Sequence, residues 1–369
     1  IINQAGRRSQ LRYFTYQYVG GDTWQMWGDA YKAILRSNFI LTNIDNLPAG
    51  EFKDNMQGEA LAVRALAHFD MLRLYAKSYT SASDTDPGVP YVTSTNPTLL
   101  PARTPLKQAY GLVVNDLEQA TDLLNETNGV GRIHKAAAEA LLSRVYLYMG
   151  EWQKCVDEAT KAIADVPAEN SLATIAQFSN IWIDATEKDV LFKVKNLDAD
   201  NTQVGVGYKQ GTPEGVIPEY SVDFAFYQLF RDADVRKQAY IRESTVESTG
   251  ETYNYVYKYN GRPSGDADIV DLKVIRMGEV YLNRAEAYFN LTNPGAALDD
   301  LNTLRSNRYT DFDESTANET GADLSNAIQL ERRLELAFEG ARFFDLKRQN
   351  KAVQRSNFGD RVDGSGPAA

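Results

Sequence analysis

Apolar residues recur at helical spacing over most of the chain. Trp27, Tyr31, Ile34, Phe39 and Leu41 lie near one stripe and predict a helix over 27–44. Ala60, Leu61, Ala65, Phe69 and Leu72 predict a second over 56–75. The pattern breaks over 78–105, where Pro87, Pro90, Pro97, Pro101 and Pro105 accompany Gly88, so a crossing loop is expected there. Thr104 before Pro105 reads as a cap followed by a first-turn proline, and a helix is expected to follow through Leu124. Two more helices are expected between 133 and 167, separated by Gly150. Around that turn Leu142, Tyr146, Trp152, Ala159, Ala162 and Pro167 fall near the offsets of the ~34-residue tetratricopeptide pattern. Cys155 takes a position where a small residue lets two helices approach. A looser copy spans 274–308, with Ala285, Tyr288 and Ala297 at comparable offsets and Pro294 in the turn. Helices over 56–76 and 105–124 make a third pair whose turn has grown into the proline loop. Each such pair buries its apolar face only against its neighbours.

Between the repeats the period changes. Val190, Phe192 and Val194 alternate and predict a short strand over 189–195. Residues 196–268 are rich in glycine and tyrosine, and 252–259 predicts a strand with its tyrosines on one face. This insertion is the expected functional surface, because binding groups sit on loops held by a rigid frame. The last helices are expected over 324–340, with Ser325 placed to cap, and over 341–353. Glu331, Glu335 and Glu339 stack along one helical face, and Arg332, Arg342 and Arg348 are expected to pair with them across a bend at Gly340. The tail from Phe358 is expected to fray.

Composition narrows the chemistry. The chain has 369 residues and a formal net charge of −11, with a pI near 4.9. That balance argues against a general duplex-DNA binder and against docking on anionic lipid. The length gives a prior of about two domains, which the continuous helical pattern replaces with one unit. Cys155 is the single cysteine, so an intrachain disulfide is ruled out, and with two histidines, His68 and His134, a His-rich zinc centre is ruled out too. No nucleophile–base–orienter set is apparent, and the acidic pairs Asp299/Asp300 and 311–314 read as solvated charges, so no enzyme and no metal are expected. Tyrosine leads the aromatics at 21 against 15 Phe and 4 Trp. A ring with a polar tip suits half-exposed surfaces.

The residues resemble the SusD/RagB surface nutrient-binding lipoproteins of Gram-negative bacteria. Segments that match in order include Trp27-Gly-Asp-Ala-Tyr31 with Asn38, Gly58-Glu-Ala60 through Arg64-Ala65 to Phe69, Gly88-Val-Pro90 and Asn115-Asp116-Leu117. They continue with Lys135-Ala-Ala-Ala138, Ala140-Leu-Leu142, and Arg276 through Glu279-Val-Tyr-Leu282 to Ala285-Glu-Ala287. The sharpest is Glu331-Arg-Arg-Leu-Glu-Leu-Ala-Phe-Glu-Gly340, with Arg342 and Asp345-Leu346. The resemblance implies an all-α fold of irregular tetratricopeptide-like repeats with a loop-rich insertion carrying short strands. On this reading residues 1–369 are one SusD-like domain, with the helical scaffold at about 24–167 and 270–353 and the insertion at about 168–269.

The resemblance also implies a role: non-catalytic capture of a nutrient, usually a glycan, on the outer face of the outer membrane, as a lid on a SusC-like TonB-dependent transporter. Capture of a peptide or another nutrient, and a scaffold that binds protein only, stay open as alternatives. The family's lipid-bearing cysteine does not correspond to Cys155, so the anchor is expected upstream of residue 1. The closing segment usual after the last helix is not matched. No cofactor, metal or nucleic-acid partner is expected.

Trp27, Trp152 and Trp182 read as packing residues. The loop before Trp27 often supplies ring platforms in this family, which makes Tyr16, Tyr18 and Trp24 candidate ligand contacts with Asp22 at the rim. Tyr208 and Tyr220 are a second candidate ring cluster, and Asn201 and Gln203 are available for sugar hydroxyls.

Overall fold

The computed structural model describes residues 24–209, 211–218, 220–263, 265 and 267–366. The chain is all-α: about 51% of it is helical, with few short strands. Its helices are α1 (Trp24–Asn43), α2 (Glu51–Tyr75), α3 (Leu106–Leu123), α4 (Lys135–Met149), α5 (Trp152–Asp165), α6 (Ile175–Ile181), α7 (Phe224–Tyr227), α8 (Val235–Tyr240), α9 (Met277–Asn290), α10 (Pro294–Ser306), α11 (Gly321–Glu335) and α12 (Ala341–Arg348). The strands are β1 (Val190–Val194), β2 (Gly211–Thr212), β3 (Gly215–Val216), β4 (Ile241–Thr245), β5 (Thr252–Val256) and β6 (Leu272–Arg276). They form three antiparallel two-stranded sheets, β1–β6, β2–β3 and β4–β5.

The helices pack as pairs, α2 on α3, α4 on α5 and α9 on α10, with α1 against α2 and α5 against α9. α4 is buried nearly all round, and its run of Ala136, Ala137, Ala138 and Ala140 lets the neighbouring backbones come close. α5 is one-sided instead, burying Cys155, Val156, Ala159 and Ala162 at helical spacing. Gly150 makes the turn between them at φ +74, a left-handed conformation that suits a residue without Cβ. There the amide of Glu151 donates back to the carbonyl of Tyr146 at 3.0 Å.

Several expectations shift in detail. α2 begins at Glu51 rather than 56. Pro105, not Thr104, stands at the cap of α3, while the Thr104 hydroxyl accepts the amide of Tyr91 at 3.1 Å and ties the proline loop to itself. Pro294 lies in the first turn of α10, capped by Asn293. Residues 274–276, expected in a helix, are the end of β6, paired with β1. The expected strand over 252–259 stops at Val256, and the last helix stops at Arg348.

The charged motif departs most. Glu331 and Glu335 are buried on α11, but their arginines come from elsewhere in the chain. Glu335 meets Arg308 at 2.9 Å, Arg276 at 2.9 Å and Arg236 at 3.2 Å. Glu331 meets Arg236 at 2.6 Å, and Glu339 meets Arg276 at 2.7 Å and Lys258 at 2.8 Å. Arg332 turns to Asp345 at 2.9 Å, and Arg348 to Glu286 at 2.6 Å. Asp300, expected to be solvated, is buried and paired with Arg284 at 2.7 Å.

Cys155 has no solvent exposure, and its Sγ lies 3.5 Å from the carbonyl of Asn283. Burial pushes its thiol pKa up. Thiol reagents are expected to leave the native protein unlabelled and to label one cysteine per chain in urea. Rapid labelling in native buffer would contradict this packing.

Candidate functional site

The tyrosine-rich insertion is fastened to the turn between α11 and α12. The Lys258 ammonium donates to the carbonyl of Ala337 at 2.8 Å, and the Tyr259 hydroxyl donates to the carbonyl of Phe338 at 2.9 Å. Segment 220–223 runs along the edge of β5, where the amide of Val222 donates to the carbonyl of Asn254 at 2.9 Å. Asp223 then caps α7 by accepting the amide of Phe226 at 2.8 Å.

These attachments bring rings from distant parts of the chain together. Tyr208 stacks on Tyr259 with centroids 5.7 Å apart, and lies 6.1 Å from Tyr220. Phe226 meets Phe338 edge-on at 5.9 Å. Beside them opens a cleft of about 390 Å³, lined by Tyr220, Phe226, Phe338, Arg333, Arg342 and Asp360 among others. Its far wall is segment 354–360, where the Ser356 hydroxyl donates to Asp223. The size falls in the usual range for small-ligand sites. Apolar ring faces with a few charged groups at the rim suit a ligand that is itself apolar on one side and polar at its edge.

Of the residues expected to bind, Tyr208 and Tyr220 are brought together. Tyr220 lines the cleft; Tyr208 is half-buried behind it and packs against the core of the insertion. Asn201 and Gln203 are exposed and do not line the cleft. Tyr16, Tyr18 and Asp22 lie outside the described residues, and Trp24 heads α1 with only its backbone described. A second depression of about 500 Å³ runs along α1 and the proline loop, lined by Trp27, Tyr31, Pro90 and Leu99. Trp27 is half-buried there, 5.0 Å edge-on from Tyr75, and Trp182 is 3% exposed.

Tyr253 and Tyr255 share one face of β5, as the alternation implies, but that face is covered. Tyr253 and Tyr255 are both buried, and so is Asn254 between them, so both faces of β5 are covered. Residues missed by sequence reasoning are Arg333, Phe338 and the 354–360 wall. Their local signal, the arginine content of 331–342, reads as internal pairing.

The histidines are used by the backbone. His68 Nδ1 meets the carbonyl of Arg64 at 2.9 Å, and its Nε2 accepts the amide of Val92 at 3.0 Å. His134 caps α4. Burial lowers the pKa of each to about 4. Among the described residues no group of three or more His, Cys, Asp or Glu could hold a metal ion, and no helix is long and apolar enough to cross a membrane.

Comparison with known proteins agrees with this architecture. Residues 208–362 match the model of the SusD family. Residues 2–147 match a model described as starch-binding associating with outer membrane. SusD-like protein P2 of Formosa agariphila is 25% identical, over 93% of this chain and 75% of its own. A SusD superfamily structure from Bacteroides thetaiotaomicron superimposes with a TM-score of 0.82 at 29% identity, covering 96% of this chain and 82% of that one. A SusD-like carbohydrate binding protein from Bacteroides vulgatus gives a TM-score of 0.75 at 27% identity, covering 90% and 71%. With the two models matched along most of the chain and the fold shared with these structures, the chain belongs to the SusD/RagB family.

Proposed function

We propose that this chain captures a glycan at the outer membrane and passes it to a SusC-like TonB-dependent transporter, with no chemistry of its own. The observation that carries the reading is the match of residues 2–147 to the model described as starch-binding associating with outer membrane. The Bacteroides vulgatus structure described as a carbohydrate binding protein supports it. In this reading residues 1–369 act as one unit, with the helical pairs as scaffold and 168–269 as the binding side.

The physical basis is stacking of sugar C–H faces on aromatic rings, with hydroxyls satisfied at the rim. A hydroxyl desolvated without a partner costs about 1–3 kcal/mol, so rim groups set specificity. Tyr220 serves as one platform with Tyr208 behind it. Tyr16, Tyr18 and Asp22, with Trp24 at the start of α1, serve as another.

Glycan-array screening followed by calorimetry tests the reading. Saturable binding of an oligosaccharide is expected. Trp24→Ala is expected to abolish it, and Tyr220→Ala to weaken it by about 1 kcal/mol or more, with helical circular dichroism unchanged. Binding of peptides alone, binding of a partner chain alone, or hydrolysis of the bound sugar would each overturn the proposal.

A further inference from the structure

Among the described residues, two arginines that line the cleft have no carboxylate partner. Among the described residues the fully buried arginines are paired: Arg236 with Asp234, Arg276 and Arg308 with Glu335, Arg332 with Asp345. Arg333 and Arg342 differ. Among the described residues neither makes an ion pair, although both line the cleft. Arg333 is half-buried, with its guanidinium 5.0 Å from the centroid of Phe226. Burial and the like charge of Arg342 lower its pKa, and Asp223 offsets this only in part. Asp223 is already committed, one oxygen to the amide of Phe226 and the other to the Ser356 hydroxyl.

Arg333 is half-buried in the cleft wall and Arg342 is exposed at its rim, so an anion entering there meets one guanidinium partly withdrawn from water and a second at the mouth. Asp360 is an acidic residue beside them. It is 8% exposed, lines the same cleft, and its Oδ1 has no hydrogen-bond partner among the described residues. One cleft therefore offers two arginines for an anion and the rings of Tyr220 and Phe338 for an apolar face.

We propose that this cleft binds an acidic saccharide, with its carboxylate or sulfate group held between Arg333 and Arg342. The inference rests on the glycan-capture reading and names the chemical class of the ligand. The net charge of −11 makes such a site a local feature rather than a consequence of overall charge. Guanidinium groups suit both anions through paired N–H donors.

Calorimetry on the full chain with trigalacturonate, a sulfated carrageenan oligosaccharide and neutral maltotriose tests it. At least one of the acidic sugars is expected to bind saturably, more weakly as salt rises, and which one binds identifies the anion. Arg333→Gln with Arg342→Gln is expected to weaken that binding by about tenfold or more. The same double variant is expected to melt no lower than the parent, because it removes a repulsion; a purely structural pair would melt lower. Binding of maltotriose alone, equal in parent and variant, overturns the acidic-ligand inference and leaves glycan capture standing. Binding of peptides with none of the three sugars overturns both. Failure of both acidic sugars to bind, or binding indifferent to the double substitution, also overturns the inference.

Discussion

Replacing Glu335 with glutamine is expected to destabilise the fold by about 3–5 kcal/mol, the usual cost of removing one partner from a buried ion cluster. Glu335 has no exposure and accepts from Arg308, Arg276 and Arg236. Those arginines tie together α8, the end of β6 and the end of α10, so this carboxylate joins the insertion to the helical scaffold. Glutamine keeps the shape but leaves three buried guanidinium groups with too little negative charge. Urea denaturation read by tryptophan fluorescence measures the loss. Asp299→Asn, at an exposed neighbour of Asp300, is the control and is expected to shift stability by no more than about 0.5 kcal/mol.

The same cluster sets an acid dependence. Burial raises the pKa of Glu335, but Arg308 and Arg276 outweigh it and hold the carboxyl well below the usual range. A carboxylate whose folded pKa is depressed contributes stability in full above its unfolded value, about 4.3. That contribution is lost as pH falls through the folded value. Glu279, Glu286, Glu339 and Asp345 are depressed for the same reason, by arginine neighbours acting against burial. The parent is therefore expected to lose stability steeply below about pH 4.3, and Glu335→Gln less steeply. A variant within about 1 kcal/mol of the parent at neutral pH, with an unchanged acid profile, would show that the cluster does not bear on stability as the geometry requires.

The helical scaffold was legible because its signal is local. Apolar spacing placed α1 to α5 and α9 to α11, and Gly150 marked a turn that only a left-handed residue closes. The charged motif shows where local reasoning stops. Helical spacing correctly put Glu331 and Glu335 on one face but looked for partners nearby, at Arg332, Arg342 and Arg348. The arginines that meet Glu335 lie 27, 59 and 99 residues away, and no periodicity encodes such a meeting. The cleft was hidden for the same reason. Its walls come from 220–226, 333–342 and 354–360, and only the fold brings them together. Tyrosine count misled at β5, since strand alternation says which residues share a face and not whether that face is covered. Tyr208 and Tyr220 were singled out because loops rich in glycine and rings are where a rigid frame places contacts; the packing of Tyr208 on Tyr259 and Phe338 was not visible.

Gly205→Ala is expected to disturb the candidate site from beneath, at a position remote from the cleft in sequence. A Cβ at Gly205 would lie 2.1 Å from the carbonyl oxygen of Tyr259 and 2.7 Å from Asp268 Oδ1. The first contact is with backbone, which cannot turn aside as a side-chain tip can. Gly205 is also pinned by its own amide, which donates to the carbonyl of Asp268 at 3.2 Å. The strand of chain at 204–207 must therefore lift, or Tyr259 must move. Tyr259 carries the stack with Tyr208 and holds the turn at Phe338 through its hydroxyl, so displacement reaches both walls of the cleft. Forcing a methyl into such a contact costs about 1–3 kcal/mol, more where the backbone resists. The expected outcome is a loss of that size in urea denaturation together with weakened ligand binding. Gly211→Ala, where a Cβ meets nothing within 4 Å, is expected to change neither. If Gly205→Ala matched Gly211→Ala in stability and in binding, the close approach of residue 205 to Tyr259 would not be part of what shapes the cleft.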